Sequence, residues 1–227
     1  NFSGEIVPMK LTWYGHGTWL IEIAGNRILL DPFFNENPAS PVKAEEVSAD
    51  VILVSHGHFD HVADVASIAN RCQSKVVAIY EIATWFEEKH SVGNTLGMNI
   101  GGATELDFAK VKMVQAIHSS QLPDGSNGGV AAGWLLSAEQ KNVYFACDTA
   151  LFGEMETIGS VGLDLAVLPI GDLFTMGIDD SLEAIRLTNP KRVAPAHYNT
   201  WPPIEQDVKH WGDEVRSQTA STPVIVN

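Results

Sequence analysis

The run Ser55-His56-Gly57-His58-Phe59-Asp60-His61 constrains this chain more than any other feature, because it crowds four potential metal ligands into six consecutive positions. Imidazoles and a carboxylate packed that closely repel or desolvate one another unless they share a cation. The apolar stretch Asp50-Val51-Ile52-Leu53-Val54 leads straight into the run and reads as a buried strand. The ligands therefore fall at the C-terminal end of a core strand, where α/β proteins tend to gather their chemistry.

A chain of 227 residues with 45% hydrophobic and 19% charged content can bury a sizeable core. Residues 9–227 read as one domain, since no linker, repeat or low-complexity tract divides them. Asn1 to Pro8 read as an N-terminal extension or a cloning remnant. Cys72 and Cys147 lie far apart and do not suggest a disulfide scaffold. No apolar run is long enough to span a membrane and no secretory leader is recognisable, so the expected location is cytoplasmic. A formal charge of −14, with Lys and Arg scattered, argues against nucleic-acid binding, which needs a basic field.

Strand-like segments are expected at Lys10–Tyr14, Trp19–Ile23 and Arg27–Leu30, with a hairpin turn at Ala24-Gly25-Asn26. Further strands are expected at Lys75–Ile79, Val111–Ile117, Ala131–Leu136, Val143–Ala146, Asp164–Leu168, Lys191–Ala194 and Pro223–Val226. Helical patterns cover Val62–Ala69, Glu81–His90, Asp179–Thr188 and Ile204–Arg216, with Asp179 or Asp180 near a cap. Two groups of strands interrupted by helices predict two sheets packed face to face with helices outside.

Other strand ends carry further donors. His118 follows Val114–Ile117, Asp148 follows Tyr144–Cys147 and His197 follows Val193–Ala196. The same setting repeated three times points to a shared site.

The segments Gly15-His16-Gly17, Leu30-Asp31-Pro32-Phe33, Gly97–Gly102, His118-Ser119-Ser120, Asp148-Thr149, Leu168–Gly177 and His197–Pro203 carry a family likeness. Through them the chain resembles the metallo-β-lactamase superfamily from Met9 onward. The nearer likeness is to the uncharacterised bacterial and archaeal metal-dependent hydrolases related to ascorbate-phosphate lactonase. The resemblance implies an α/β fold (α+β), the four-layer αββα sandwich of two mixed sheets. It also implies two divalent metal ions, His56, His58 and His118 holding the first and Asp60, His61 and His197 the second, with Asp148 bridging. The donors are nitrogen and oxygen only; zinc is the leading expectation, with manganese and iron as alternatives. Cys147, next to Asp148, reads as a core thiol pointing to the opposite face of its strand.

By the same likeness Asp31 supports a ligating His from behind. His16, between two glycines, reads as a second donor to the ligands, a substrate contact or a turn residue, and is the one guess for a proton donor. Asn99, Asn199 and Tyr198 are candidate substrate contacts, and Phe33, Phe34, Phe174 and Trp201 candidate pocket walls. His90 and His210 read as surface residues. A dinuclear hydrolase is the leading expectation, with Asp60 and Asp148 catalytic and a metal-bridging hydroxide attacking a small ester, lactone or phosphodiester. The likeness favours a small-molecule, anionic substrate; a homo-oligomer stays open. A mononuclear iron dioxygenase, a nuclease or phosphodiesterase and a non-catalytic scaffold are the competing expectations.

Overall fold

Three apolar runs at the start of the chain form an antiparallel meander of β1 (Lys10–Trp13), β2 (Trp19–Ile23) and β3 (Asn26–Leu30). The turn between the last two uses Ala24 and Gly25, both with positive φ, as a tight hairpin requires. The computed structural model describes residues 9–225, so Asn1–Pro8 and the expected strand end at Val226 lie outside the described residues. Next come β4 (Val51–Leu53), β5 (Lys75–Ile79) and β6 (Thr95–Met98), each parallel to its predecessor. Parallel neighbours need crossover connections. α1 (Phe59–Val62) and α2 (Val65–Cys72) link β4 to β5, and α3 (Tyr80–His90) links β5 to β6. The result is a six-stranded mixed sheet in sequence order.

The second sheet has seven strands, in the order β13-β12-β11-β10-β9-β8-β7. β7 (Ala103–Leu106), β8 (Ala109–Gln115), β9 (Ala132–Ala138) and β10 (Lys141–Phe145) are antiparallel. β11 (Leu165–Pro169), β12 (Arg192–Ala196) and β13 (Thr222–Pro223) continue in parallel from β10. Here α4 (Met155–Gly159), α5 (Ile178–Thr188) and α6 (Val208–Gln218) supply the crossovers.

One cluster of buried residues draws Ile21, Leu29 and Val77 from the first sheet and Met113, Trp134, Phe145 and Val167 from the second. Trp19 of β2 meets Phe145 of β10 with ring centroids 6.2 Å apart. A second cluster buries Leu182 and Ile185 of α5 and Trp211 and Val215 of α6 with Tyr144, Ala166 and Leu168 of the second sheet. The expected α/β sandwich of two mixed sheets with outer helices is borne out.

Three local expectations are corrected. The helix expected at Val62–Ala69 breaks after α1. Asp64 there turns its carboxylate to the backbone N–H groups of Phe34 and Asn35, so it serves a loop rather than the helix. Residues 204–207 do not open α6, because Pro202–Ile204 form a 3-10 turn and Asp207 caps the helix by accepting from the His210 N–H. The acids expected near the start of α5 are there: Gly177 precedes the helix, and Asp179 and Asp180 sit in its first turn. Cys147 is not on a strand: β10 ends at Phe145 and Cys147 adopts φ 54°, partly buried. Among the described residues, no helix is long and apolar enough to cross a membrane.

Candidate metal centre

The C-terminal ends of four strands meet at one edge of the two sheets. His56 and His58 follow β4, and Asp60 and His61 lie in α1, which begins one residue after His58. His118 follows β8, Asp148 follows β10 and His197 is the first residue past β12. All seven expected donors are brought together. Their ligand atoms form overlapping groups, His56-His58-His118, His56-His61-Asp148 and Asp60-His61-His197 with His16, each within 4.8 Å.

Within the first group three ring nitrogens face one another. His56 Nε2 is 3.0 Å from His58 Nδ1, and His118 Nε2 is 3.3 Å from the same nitrogen. Asp148 Oδ2 is ringed by imidazoles, 3.0 Å from His197 Nε2, 3.5 Å from His61 Nε2, 3.6 Å from His118 Nε2 and 3.9 Å from His56 Nε2. Despite that proximity, His61 Nε2 and both ring nitrogens of His197 are buried without a hydrogen-bond partner. Buried polar atoms normally find partners. Convergent imidazole nitrogens that lack them suit a shared cation, and the nitrogen and oxygen donor set suits zinc, manganese or iron.

A hydrogen-bond network behind the donors fixes the tautomers of His56 and His61. Asp31, fully buried, accepts from the Ser55 N–H at 2.8 Å, the Ser55 hydroxyl at 2.6 Å and His61 Nδ1 at 2.9 Å. Because the Ser55 proton goes to the carboxylate, its oxygen accepts from His56 Nδ1 at 2.9 Å. His56 and His61 therefore both turn Nε2 inward, the nitrogen left to bind a cation. Asp31 thus hydrogen-bonds to His61 from behind, and Ser55 is a partner that sequence reading missed although it stands next to His56.

His16 is fully buried and is not among the residues that line the cleft. Its Nε2 donates to Asp60 Oδ2 at 2.8 Å, and its Nδ1 accepts from the Thr200 hydroxyl at 2.9 Å. His16, Asp31, Cys147 and His197 all hold positive φ, between 45° and 54°. Such backbone costs each non-glycine residue about 1–2 kcal/mol and gathers at functional sites. Here it turns side chains back over the strand ends.

Burial pushes the His16 imidazole down to about 4, helped by neighbouring His197. Burial likewise holds His56 well below its usual value and lowers His58 and His118. Burial opposes charge on His197 too, but Asp148 outweighs it and lifts that imidazole to about 9. His61 is raised against burial by Asp148, Asp60 and Asp31. Against burial again, His197 and His61 hold Asp148 far below the usual carboxylate range, and His61 and His16 do the same for Asp60. In metal-stripped protein the His197–Asp148 contact thus stabilises fully below pH 6.5 and is lost as pH rises through about 9. That loss is worth about 3 kcal/mol. The melting temperature of stripped protein is expected to fall from pH 6.5 to pH 9, and a flat profile would contradict the assignment.

Gly17 lets β1–β2 backbone approach His61: a Cβ there would stand 2.9 Å from Cε1 and 3.3 Å from Nδ1. Asp31 holds that ring, so it cannot simply slide away. Gly17→Ala is expected to weaken metal binding about tenfold, by analogy with lost ligand support, which competition with a chromogenic chelator would measure.

The donors floor a cleft of about 730 Å³, lined by His58, Asp60, His118, Asp148 and His197 and walled by Phe59, Leu122, Pro123, Phe174 and Trp201. Phe174 and Trp201 thus lie where expected. Phe33 is buried behind Phe59 and Trp201, and Phe34 is buried against Tyr14. Neither lines the cleft. None of the three expected substrate contacts lines the cleft. Asn99 is exposed after β6, its Oδ1 accepting from the Ile100 N–H, and Asn199 is exposed with its Oδ1 on the Gln206 N–H. Tyr198 is buried, stacked on Trp13 at 5.2 Å. His90 and His210 are exposed, as expected.

Comparison with known proteins gives the family. Residues 26–198 match the family described as Beta-lactamase superfamily domain. A UPF0173 metal-dependent hydrolase of Bacillus cereus is 46% identical over 217 residues, covering 93% of this chain and 95% of the relative. The chain belongs to the UPF0173 metal-dependent hydrolases of the β-lactamase superfamily. A second UPF0173 relative, from Pelotomaculum thermopropionicum, is 42% identical over 96% of this chain and 97% of its own length. Among solved structures, the metallo hydrolase Igni18 of Ignicoccus hospitalis superposes with a TM-score of 0.87 and 34% identity. That match covers 96% of this UPF0173 chain and 95% of Igni18. The family expected from the motifs is the family found.

Proposed function

We propose that this UPF0173 chain is a dinuclear metal-dependent hydrolase acting on a small ester, lactone or phosphodiester. The observation that carries the proposal is the convergence of seven donors from both sheets, with His61 Nε2 and His197 Nε2 buried and unpartnered. His56, His58 and His118 would hold one cation and Asp60, His61 and His197 the other, with Asp148 shared. Zinc is the leading candidate, with manganese or iron as alternatives. Bound divalent cations supply an acidified water near neutral pH and positive charge for a developing oxyanion.

The chain's own residues orient that chemistry. Asp60 Oδ2 is held by His16, which leaves Oδ1 to accept a hydrogen bond from a water entering by the cleft. Asp31 and Ser55 keep His56 and His61 with Nε2 inward, and Asp60 fixes the tautomer of His16, whose Nδ1 accepts from Thr200. Phe59, Phe174 and Trp201 shield the floor from bulk water. Residues 9–227 act as one unit in this proposal, supported by the core that both sheets share.

The test is metal content per chain after metal-free purification and reloading, together with hydrolysis of bis-p-nitrophenyl phosphate and a lactone panel. Two metals per chain with turnover lost in His58→Ala is the expected result. One iron per chain would favour a dioxygenase, and no metal a scaffold; either outcome overturns the proposal.

A further inference from the structure

The cleft is built for a particular kind of molecule. None of the chain's 14 Lys and Arg residues lines it, and apart from the donors its polar side chains are Ser119 and Gln121. Phe59 and Phe174 leave 49% and 55% of their surface open to solvent, unusual for rings of that size. Phe59 and Trp201 form one wall with centroids 6.1 Å apart and planes inclined by 35°. Fully buried Phe33 braces both, at 5.7 Å and 5.9 Å. Leu122 and Pro123 add further apolar lining.

We infer that the substrate is an uncharged carboxylic ester or lactone bearing a flat apolar group, an inference that rests on the hydrolase proposal above. Exposed aromatic walls gain by covering apolar surface, and flat rings stack on them. A phosphodiester, or a lactone bearing a phosphate, brings an obligatory negative charge. Beyond the metal centre it would meet no cationic side chain in the cleft, and the chain's charge of −14 repels it on approach. The likeness to a phosphate-lactone hydrolase pointed to an anionic substrate; the walls point to a neutral one. Water adds to the acyl carbon, the bond to the alkoxy oxygen breaks, and that oxygen leaves with a proton. The products are a carboxylic acid and an alcohol, with no change of oxidation state.

The test uses the metal-loaded full chain and three substrates with one leaving group: p-nitrophenyl phenylacetate, p-nitrophenyl hemisuccinate and bis-p-nitrophenyl phosphate. The phenylacetate is expected to have the highest kcat/KM, by about tenfold or more. Phe174→Arg, a change at an exposed position, is expected to lower that value and raise the hemisuccinate's. Equal or better turnover of the hemisuccinate or the phosphodiester overturns the inference and leaves the hydrolase proposal standing. If none is turned over, the hydrolase proposal falls, and binding decides the preference of the cleft. Tryptophan fluorescence, with Trp201→Phe as reference, would then compare phenylacetamide with acetamide. Phenylacetamide binding about tenfold tighter, and weakened by Phe174→Arg, supports an apolar-group site. Equal binding overturns it.

Discussion

Asp148→Asn is expected to reduce hydrolysis by about a thousandfold or more and to leave fewer than two metals per chain. A single oxygen of this side chain sits within 3.9 Å of four imidazole nitrogens drawn from three different strand ends. Asparagine keeps the shape and removes the charge. A neutral amide oxygen is a poor ligand for two cations at once, and it no longer offsets protonated His61 and His197. The metal-free variant is therefore also expected to be less stable by about 3–5 kcal/mol, the usual cost of leaving buried charges uncompensated. Metal analysis, steady-state kinetics and thermal melts on the same preparation would separate the two losses. Full stoichiometry with undiminished turnover would remove Asp148 from the centre.

Asp31→Ala ranks second and acts without touching the cleft. The lost carboxylate leaves the Ser55 N–H, the Ser55 hydroxyl and His61 Nδ1 without their acceptor in a fully buried place. Alanine must also adopt φ 45°, which its Cβ disfavours. The expected cost is about 3–5 kcal/mol, or roughly 10 °C or more in melting temperature for a chain of this size. Metal affinity is expected to fall about 10–100-fold, because His56 and His61 lose the partner that sets their tautomers. An unchanged affinity in a destabilised variant would mean that Asp31 serves folding alone.

Much of this was legible in the chain because the ligands stand just past apolar runs. His118, Asp148 and His197 each follow a strand that contributes residues to the core, so their meeting at one edge follows from the sheets. β6 and β7 were not read, because Thr95–Met98 and Ala103–Leu106 are short, only half-buried and free of strong alternation. The supporting residues divide in the same way. Asp31, just past β3, is held by Ser55 and His61, and His16, in the turn after β1, by Asp60 and Thr200, whereas the exposed Asn99 and Asn199 turn to local backbone N–H groups instead. No property of sequence spacing records that rotation. The contributions of Ser55 and Thr200 depend on which proton a hydroxyl shares, which only the assembled network decides.

The donors also divide between the sheets. His56, His58, Asp60 and His61 hang from the six-stranded sheet, and His118, Asp148 and His197 from the seven-stranded one. On the dinuclear assignment each cation takes ligands from both, and so works as a removable cross-link across the seam. Tying His58 to His118 closes a loop of 60 residues, comparable in reach to a long-range disulfide but reversible by a chelator. Stripping the metal is expected to speed amide exchange at the ends of β4, β8, β10 and β12 together, while the far edges keep their protection. Metal supply would then set how tightly the sandwich stays shut, so that loaded and unloaded molecules differ in resistance to proteolysis as well as in chemistry.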